Sequence, residues 1–121
     1  MTLVGAGVTL FESLKAAEAL AGEGIAVRVI DLYSVKPVDG ETLRRASSET
    51  GLIVTVEDHW LEGGIGDAVL GALAEGGATL SGRVVKIGVT EMPFSGTPEE
   101  LRDWAGISAE RIVSRVRELL G

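Results

Sequence analysis

His59 is the only histidine in the chain, and it sits in the densest group of chemistry-bearing residues, Glu57-Asp58-His59-Trp60-Leu61-Glu62. An imidazole two residues from a carboxylate has the parts of a general base oriented by an acid. Such a base needs a nucleophile beside it, and no Gly-x-Ser-x-Gly or similar element occurs. A metal centre needs convergent ligands, and one histidine with loose acids and no cysteine does not supply them. The residues by themselves therefore describe a histidine that orders a loop or an interface.

Two glycine-rich turns invite anion chemistry. Gly5-Ala6-Gly7 follows an apolar run and opens a helical pattern, and Asp31 ends the next apolar run. That is most of a dinucleotide fingerprint: helix amides for a pyrophosphate and an acid for a ribose. Its third position is Leu10 rather than glycine, so a structural turn is the expectation. Gly63-Gly64-Ile65-Gly66 opens a second helix whose amides could hold an anion. The lysine and hydroxyl of a P-loop are missing, and Glu62 and Asp67 would repel phosphate. These glycines are expected to let two backbones meet, within the chain or across a subunit contact.

The elements that must position these groups follow from periodicity. Met1–Val4 is a short strand. Leu10, Leu14, Ala17 and Ala21 recur on one helix face, with Thr9 and Glu12 spaced as a capping box and Gly22 and Gly24 as the stop. Ile25–Ile30 reads as the second strand and Leu52–Val56 as the third. Between them Asp39 can cap a helix carrying Leu43 and Ala46 that ends at Gly51. A helix from about Gly64 to Glu75 carries Ile65, Ala68, Val69, Ala72 and Leu73, and Val84–Val89 is the fourth strand. Thr97-Pro98-Glu99-Glu100 is a capping box opening a short helix with Leu101 and Trp104, stopped by Gly106. Ser108 caps a last helix with the stripe Ile112, Val113, Val116, Leu119 and Leu120. Continuous apolar strands alternating with helices predict an α/β fold: a three-layer α/β/α sandwich around a mainly parallel sheet of four to five strands. The predicted order is 2-1-3-4. It brings Gly5-Ala6-Gly7 beside Glu57-Asp58-His59 at the carboxyl edge, where open α/β sheets place ligands. Met92-Pro93-Phe94-Ser95 puts two large apolar side chains in a loop and hints at a docking surface.

Composition bounds the partners. One hundred and twenty-one residues make a single domain, 1–121. The net charge of −7 argues against nucleic acid or an anionic membrane as partner. The absence of cysteine removes disulfides and thiolate chemistry. No apolar run is long enough to span a bilayer and no basic leader opens the chain, so a cytoplasmic location is expected.

Three strings resemble a known family. Asp31-Leu32-Tyr33-Ser34-Val35-Lys36-Pro37-Val38-Asp39 resembles a strand-to-loop segment of transketolases. Val56-Glu57-Asp58-His59-Trp60-x-Glu62-Gly63-Gly64-Ile65-Gly66-Asp67-Ala68-Val69 is similar to their most specific C-terminal motif. Ser95-Gly96-x-Pro98-x-Glu100-Leu101 with Gly106-Ile107 and Ile112-Val113 resembles their tail. The chain as a whole looks like the C-terminal domain of a transketolase. The same domain type occurs in related thiamine diphosphate enzymes such as 1-deoxyxylulose-5-phosphate synthase.

The resemblance implies a cytoplasmic enzyme of the pentose phosphate pathway, a transferase moving a two-carbon ketol unit between sugar phosphates. Thiamine diphosphate and a divalent cation, Mg or Ca, would sit on other domains. The family's cofactor motif, Gly-Asp-Gly with a downstream asparagine, has no counterpart, since this sequence contains neither. No catalytic, cofactor-binding or metal-binding residue is thus carried onto this chain, and the isolated domain is expected to be inactive. Its implied partners are the catalytic domains of the parent enzyme and a second copy in a homodimer. Glu57, Asp58, His59, Gly63, Gly64 and Gly66 are the candidate interface or crevice. The family's domain usually opens with an extra antiparallel edge strand, so the chain is expected to be a piece of a longer polypeptide. The competing expectation is a free-standing regulatory module that binds a small anion in the carboxyl-edge crevice.

Overall fold

A computed structural model describes residues 1–35, 37–75 and 80–121. Lys36, part of the first family-like string, lies outside the described residues. The elements run β1 Thr2–Gly5, α1 Val8–Gly22, β2 Arg28–Asp31, α2 Gly40–Thr50, β3 Leu52–Trp60, α3 Ile65–Ala74, β4 Arg83–Val89, α4 Pro98–Trp104 and α5 Ala109–Leu120. The four strands pair in parallel in the order β2-β1-β3-β4, as the alternation of elements predicts.

Each face of the sheet carries its own apolar layer. On one, Leu3, Val54, Val56 and Ile87 meet Ala16 and Leu20 of α1 and Ile112, Val113 and Val116 of α5. On the other, Val4 and Ile53 meet Leu43 and Ala46 of α2 and Val69, Ala72 and Leu73 of α3. Burying each such Leu, Ile or Val side chain contributes roughly 1.5–3 kcal/mol, and the result is the expected α/β/α sandwich.

Several expectations need correction. The buried face of α1 is Thr9, Glu12, Ser13, Ala16 and Leu20; Leu14 is 47% exposed and Phe11 63%. Polar residues go inward because two of them find partners there. Thr9 Oγ1 accepts from the Ala6 amide and donates to the Ala6 carbonyl, both at 3.0 Å. Glu12 accepts from the Ala109 amide at 2.7 Å, so it caps α5 across the fold rather than its own helix. The helix begins at Val8 with Gly7 at its N-cap, so Thr9 and Glu12 form no capping box.

The second strand starts at Arg28 because Ile25 belongs to the end of α1. Gly24 adopts φ 81°, its amide bonds to Ala21 O, and the Ile25 amide bonds to Leu20 O at 2.9 Å. That is the Schellman arrangement, which a left-handed glycine permits. Leu120 is 49% exposed, so the buried stripe of α5 is Ala109, Ile112, Val113 and Val116. The predicted caps at Asp39, Thr97 and Ser108 are present, the second as a full capping box.

Candidate functional site: the bulged end of β3

β3 runs to Trp60, four residues past its predicted end. Val56 pairs with Ile87 and Trp60 with Val89, so Glu57-Asp58-His59 stand opposite Gly88 alone. Extra residues in one strand make a bulge, which bends the strand and re-aims its side chains. Gly88 makes the bend possible: a Cβ there would lie 2.8 Å from Leu61 Cδ2 and 2.9 Å from Glu57 Cγ.

Glu57 is fully buried. Its Oε1 accepts from the Ile65 amide and its Oε2 from the Gly66 amide, each at 2.9 Å. The carboxylate therefore occupies the N-terminus of α3, where unpaired amides and the helix dipole favour negative charge. The glycines of the turn are shaped around this side chain. A Cβ on Gly64 would overlap Glu57 Oε1 and the His59 ring, and one on Gly66 would overlap the Lys86 stem and approach Glu57 Oε2 at 2.9 Å. Within the chain, Gly64 and Gly66 make room for side chains rather than letting two backbones meet. Backbone approach occurs at Gly5 instead, where a Cβ would lie 2.8 Å from Thr9 O and 2.9 Å from Leu10 N.

His59 lies on the same side of the sheet as Glu57. Its Nδ1 is 3.1 Å from Glu57 Oε1 and 3.2 Å from the Trp60 carbonyl oxygen. Gly63, at φ 75°, donates its amide to Asp67 Oδ2 at 2.6 Å. Lys86 Nζ donates to Asp67 Oδ1 at 2.8 Å and reaches the Leu61 carbonyl at 3.4 Å. The Lys86 hydrogen bond, joined by the Gly63 amide, holds the Asp67 carboxyl below the ordinary aspartate value. The same bond raises Lys86, with the charges of Asp67, Glu57 and Glu62 adding to it.

Five of the six candidate residues thus come together: Glu57, His59, Gly63, Gly64 and Gly66. Asp58 does not join them. It points to the opposite face, into a cavity of about 300 Å³ shared with Val8, Val89, Pro93, Leu101, Arg102 and Trp104. The parity of an extended strand separates it from its neighbours. Lys86 was missed as a partner, although one lysine inside the apolar run Val84–Val89 was a visible signal.

Amides of both anion-like turns are engaged within the chain. The Ala6 amide is taken by Thr9, and the Ile65 and Gly66 amides by Glu57. A phosphate at the start of α3 would meet a buried carboxylate with Asp67 beside it. Among the described residues no cluster of three or more metal-binding side chains is found. The residues present do not fit a metal-bound diphosphate.

What the fold and this site define is a three-layer α/β/α domain whose conspicuous turn is built to hold its own shape. Comparison with known proteins carries this further. The family model described as "Transketolase, C-terminal domain" matches residues 1–112. The chain is 48% identical over 119 residues to mouse (Mus musculus) transketolase-like protein 2, covering 98% of this chain and 18% of that protein. It is 43% identical over 122 residues to mouse transketolase, covering 99% of this chain and 19% of that protein. A solved structure titled "Split gene transketolase, inactive beta4 tetramer" superposes with a TM-score of 0.86 at 38% identity, covering 97% of this chain and 38% of that one. The chain belongs to the transketolase C-terminal domain family. It spans less than a fifth of the length of these two mouse relatives.

Proposed function

We propose that this chain serves as the C-terminal domain of a cytoplasmic transketolase, one domain spanning 1–121, and that it works by docking rather than by chemistry. Thiamine diphosphate and its divalent cation are held by other segments of the enzyme, which transfer a two-carbon ketol unit between sugar phosphates of the pentose phosphate pathway. The domain seats itself on those segments and supports the dimer through Glu57–Gly66. The observation that carries this reading is the bulged end of β3. A buried carboxylate, two helix amides and three glycines fix a surface segment that ends in Trp60, 45% exposed. Tyr33, Met92 and Phe94 also lie exposed in loops after β2 and β4, adding apolar surface at the same edge of the sheet. Rigid, partly apolar surface of this kind suits a contact between polypeptides. The related split-gene chain, described as an inactive tetramer of its own β chain, lends support by analogy.

The test compares the full transketolase polypeptide with one lacking this domain, and both with the 121-residue chain alone. The isolated chain is expected to transfer no ketol unit. Loss of the domain is expected to weaken the dimer in sedimentation velocity. Ketol transfer by the isolated chain, or a dimer indifferent to the domain's removal, would overturn the reading.

A further inference from the structure

Two acceptors face the same imidazole nitrogen of His59, the Glu57 carboxylate at 3.1 Å and the Trp60 carbonyl at 3.2 Å. Nδ1 must therefore carry a proton, and in the neutral ring the lone pair is left on Nε2. The ring is also fenced from α3, since any side chain at Gly64 would overlap its Cε1 and Nδ1. His59 keeps 49% of its side chain exposed, and Nε2 has no hydrogen-bond partner among the described residues. A hydrogen-bond acceptor of fixed direction thus faces outward at the carboxyl edge. Its surroundings on this face are acidic: the carboxylates of Glu57, Glu62 and Asp67 all act on Lys86.

We propose that His59 Nε2 accepts a hydrogen bond from a cationic side chain, arginine or lysine, on the transketolase segment that covers this edge. Glu57 is the positioning residue that fixes the tautomer. The proposal rests on the docking reading above and adds to it the chemistry of the contact. The donor must be an N–H group, and its positive charge answers the local excess of acid.

Because His59 is the sole histidine, its ring nitrogens can be followed without overlap in the chain labelled with ¹⁵N only at histidine. In the neutral ring of the free chain the Nδ1–H tautomer is expected. Adding the transketolase polypeptide that lacks this domain should move the Nε2 resonance and leave the tautomer unchanged. His59→Ala, a change at an exposed ring, should weaken that association about tenfold. Glu57→Gln leaves the Trp60 carbonyl facing Nδ1 and should weaken the preference for the Nδ1–H tautomer if the variant folds, and the unsubstituted chain decides the question if it does not. An Nε2–H tautomer in the free chain overturns the proposal. So does association that neither shifts Nε2 nor weakens with His59→Ala, which would leave the docking reading standing. If the two polypeptides do not associate at all, both fall.

Discussion

A single added carbon tests the turn around Glu57 most sharply. Gly64→Ala places a Cβ where Glu57 Oε1 and the His59 ring already lie, and neither can retreat without losing its hydrogen bonds. Overpacking of this kind costs roughly 1–3 kcal/mol, and an amide left unpaired adds roughly 1–3 more. Gly64→Ala is expected to lose at least about 2 kcal/mol in a urea melt. Gly71→Ala, where a Cβ meets nothing within 4 Å, should cost nothing or stabilise α3 slightly. Equal stability of the two variants would remove the packing argument. Asp67 and Lys86 set a pH signature. Asp67 holds its proton less tightly in the folded chain than in the unfolded one, so its contribution is complete above the ordinary aspartate value of about 4. It is lost as pH falls through the lower folded value. Lys86 is raised, so its contribution is complete below the ordinary lysine value of about 10.4 and is lost as pH rises through the folded one. Asp67→Asn should therefore flatten both the acid and the alkaline limbs of a plot of urea midpoint against pH. Unchanged limbs would show that the pair contributes nothing to stability.

At the scale of elements, α1 shows what periodicity conceals. The helix carries an apolar stripe, Leu10-Leu14-Ala17-Ala21, and a mixed one that includes Thr9, Glu12, Ser13, Ala16 and Leu20. Reading hydrophobicity alone selects the first, whereas the fold buries the second. The deciding contacts, Thr9 with Ala6 and Glu12 with Ala109, are hydrogen bonds, and one of them spans 97 residues. No local window contains that partner. Leu20→Ala is expected to cost about 2–5 kcal/mol, and Leu14→Ala less than about 0.5, by chemical denaturation; the reverse ranking would restore the first stripe. The parallel order and the caps at Asp39, Thr97 and Ser108 were legible because their signals are local. The dyad of Glu57 and His59 was half legible: the sequence brings the two within reach. That Glu57 is buried and that its partners are the amides of α3 follows only from the bulge, which depends on Gly88 in another strand.

At the scale of the whole molecule, the docking proposed for this chain falls at the carboxyl edge. Its two tryptophans make this measurable. Trp104 meets Phe94 edge-on with ring centroids 5.4 Å apart, while Trp60 stands 45% exposed beside His59. With Trp104→Phe leaving Trp60 as the only indole, the fluorescence should shift to the blue when the remaining transketolase domains are added. An unmoved spectrum on association would place the contact elsewhere. The opposite end of the polypeptide holds a different lesson. Glu12, near the start, caps α5, near the finish, and Glu23 pairs with Arg117. On a ribosome, which releases the chain from its amino end, α1 emerges long before the helix that answers its inner carboxylate. Ninety-seven residues separate that acid from the amide it caps, so the packing of this face closes only once α5 has emerged.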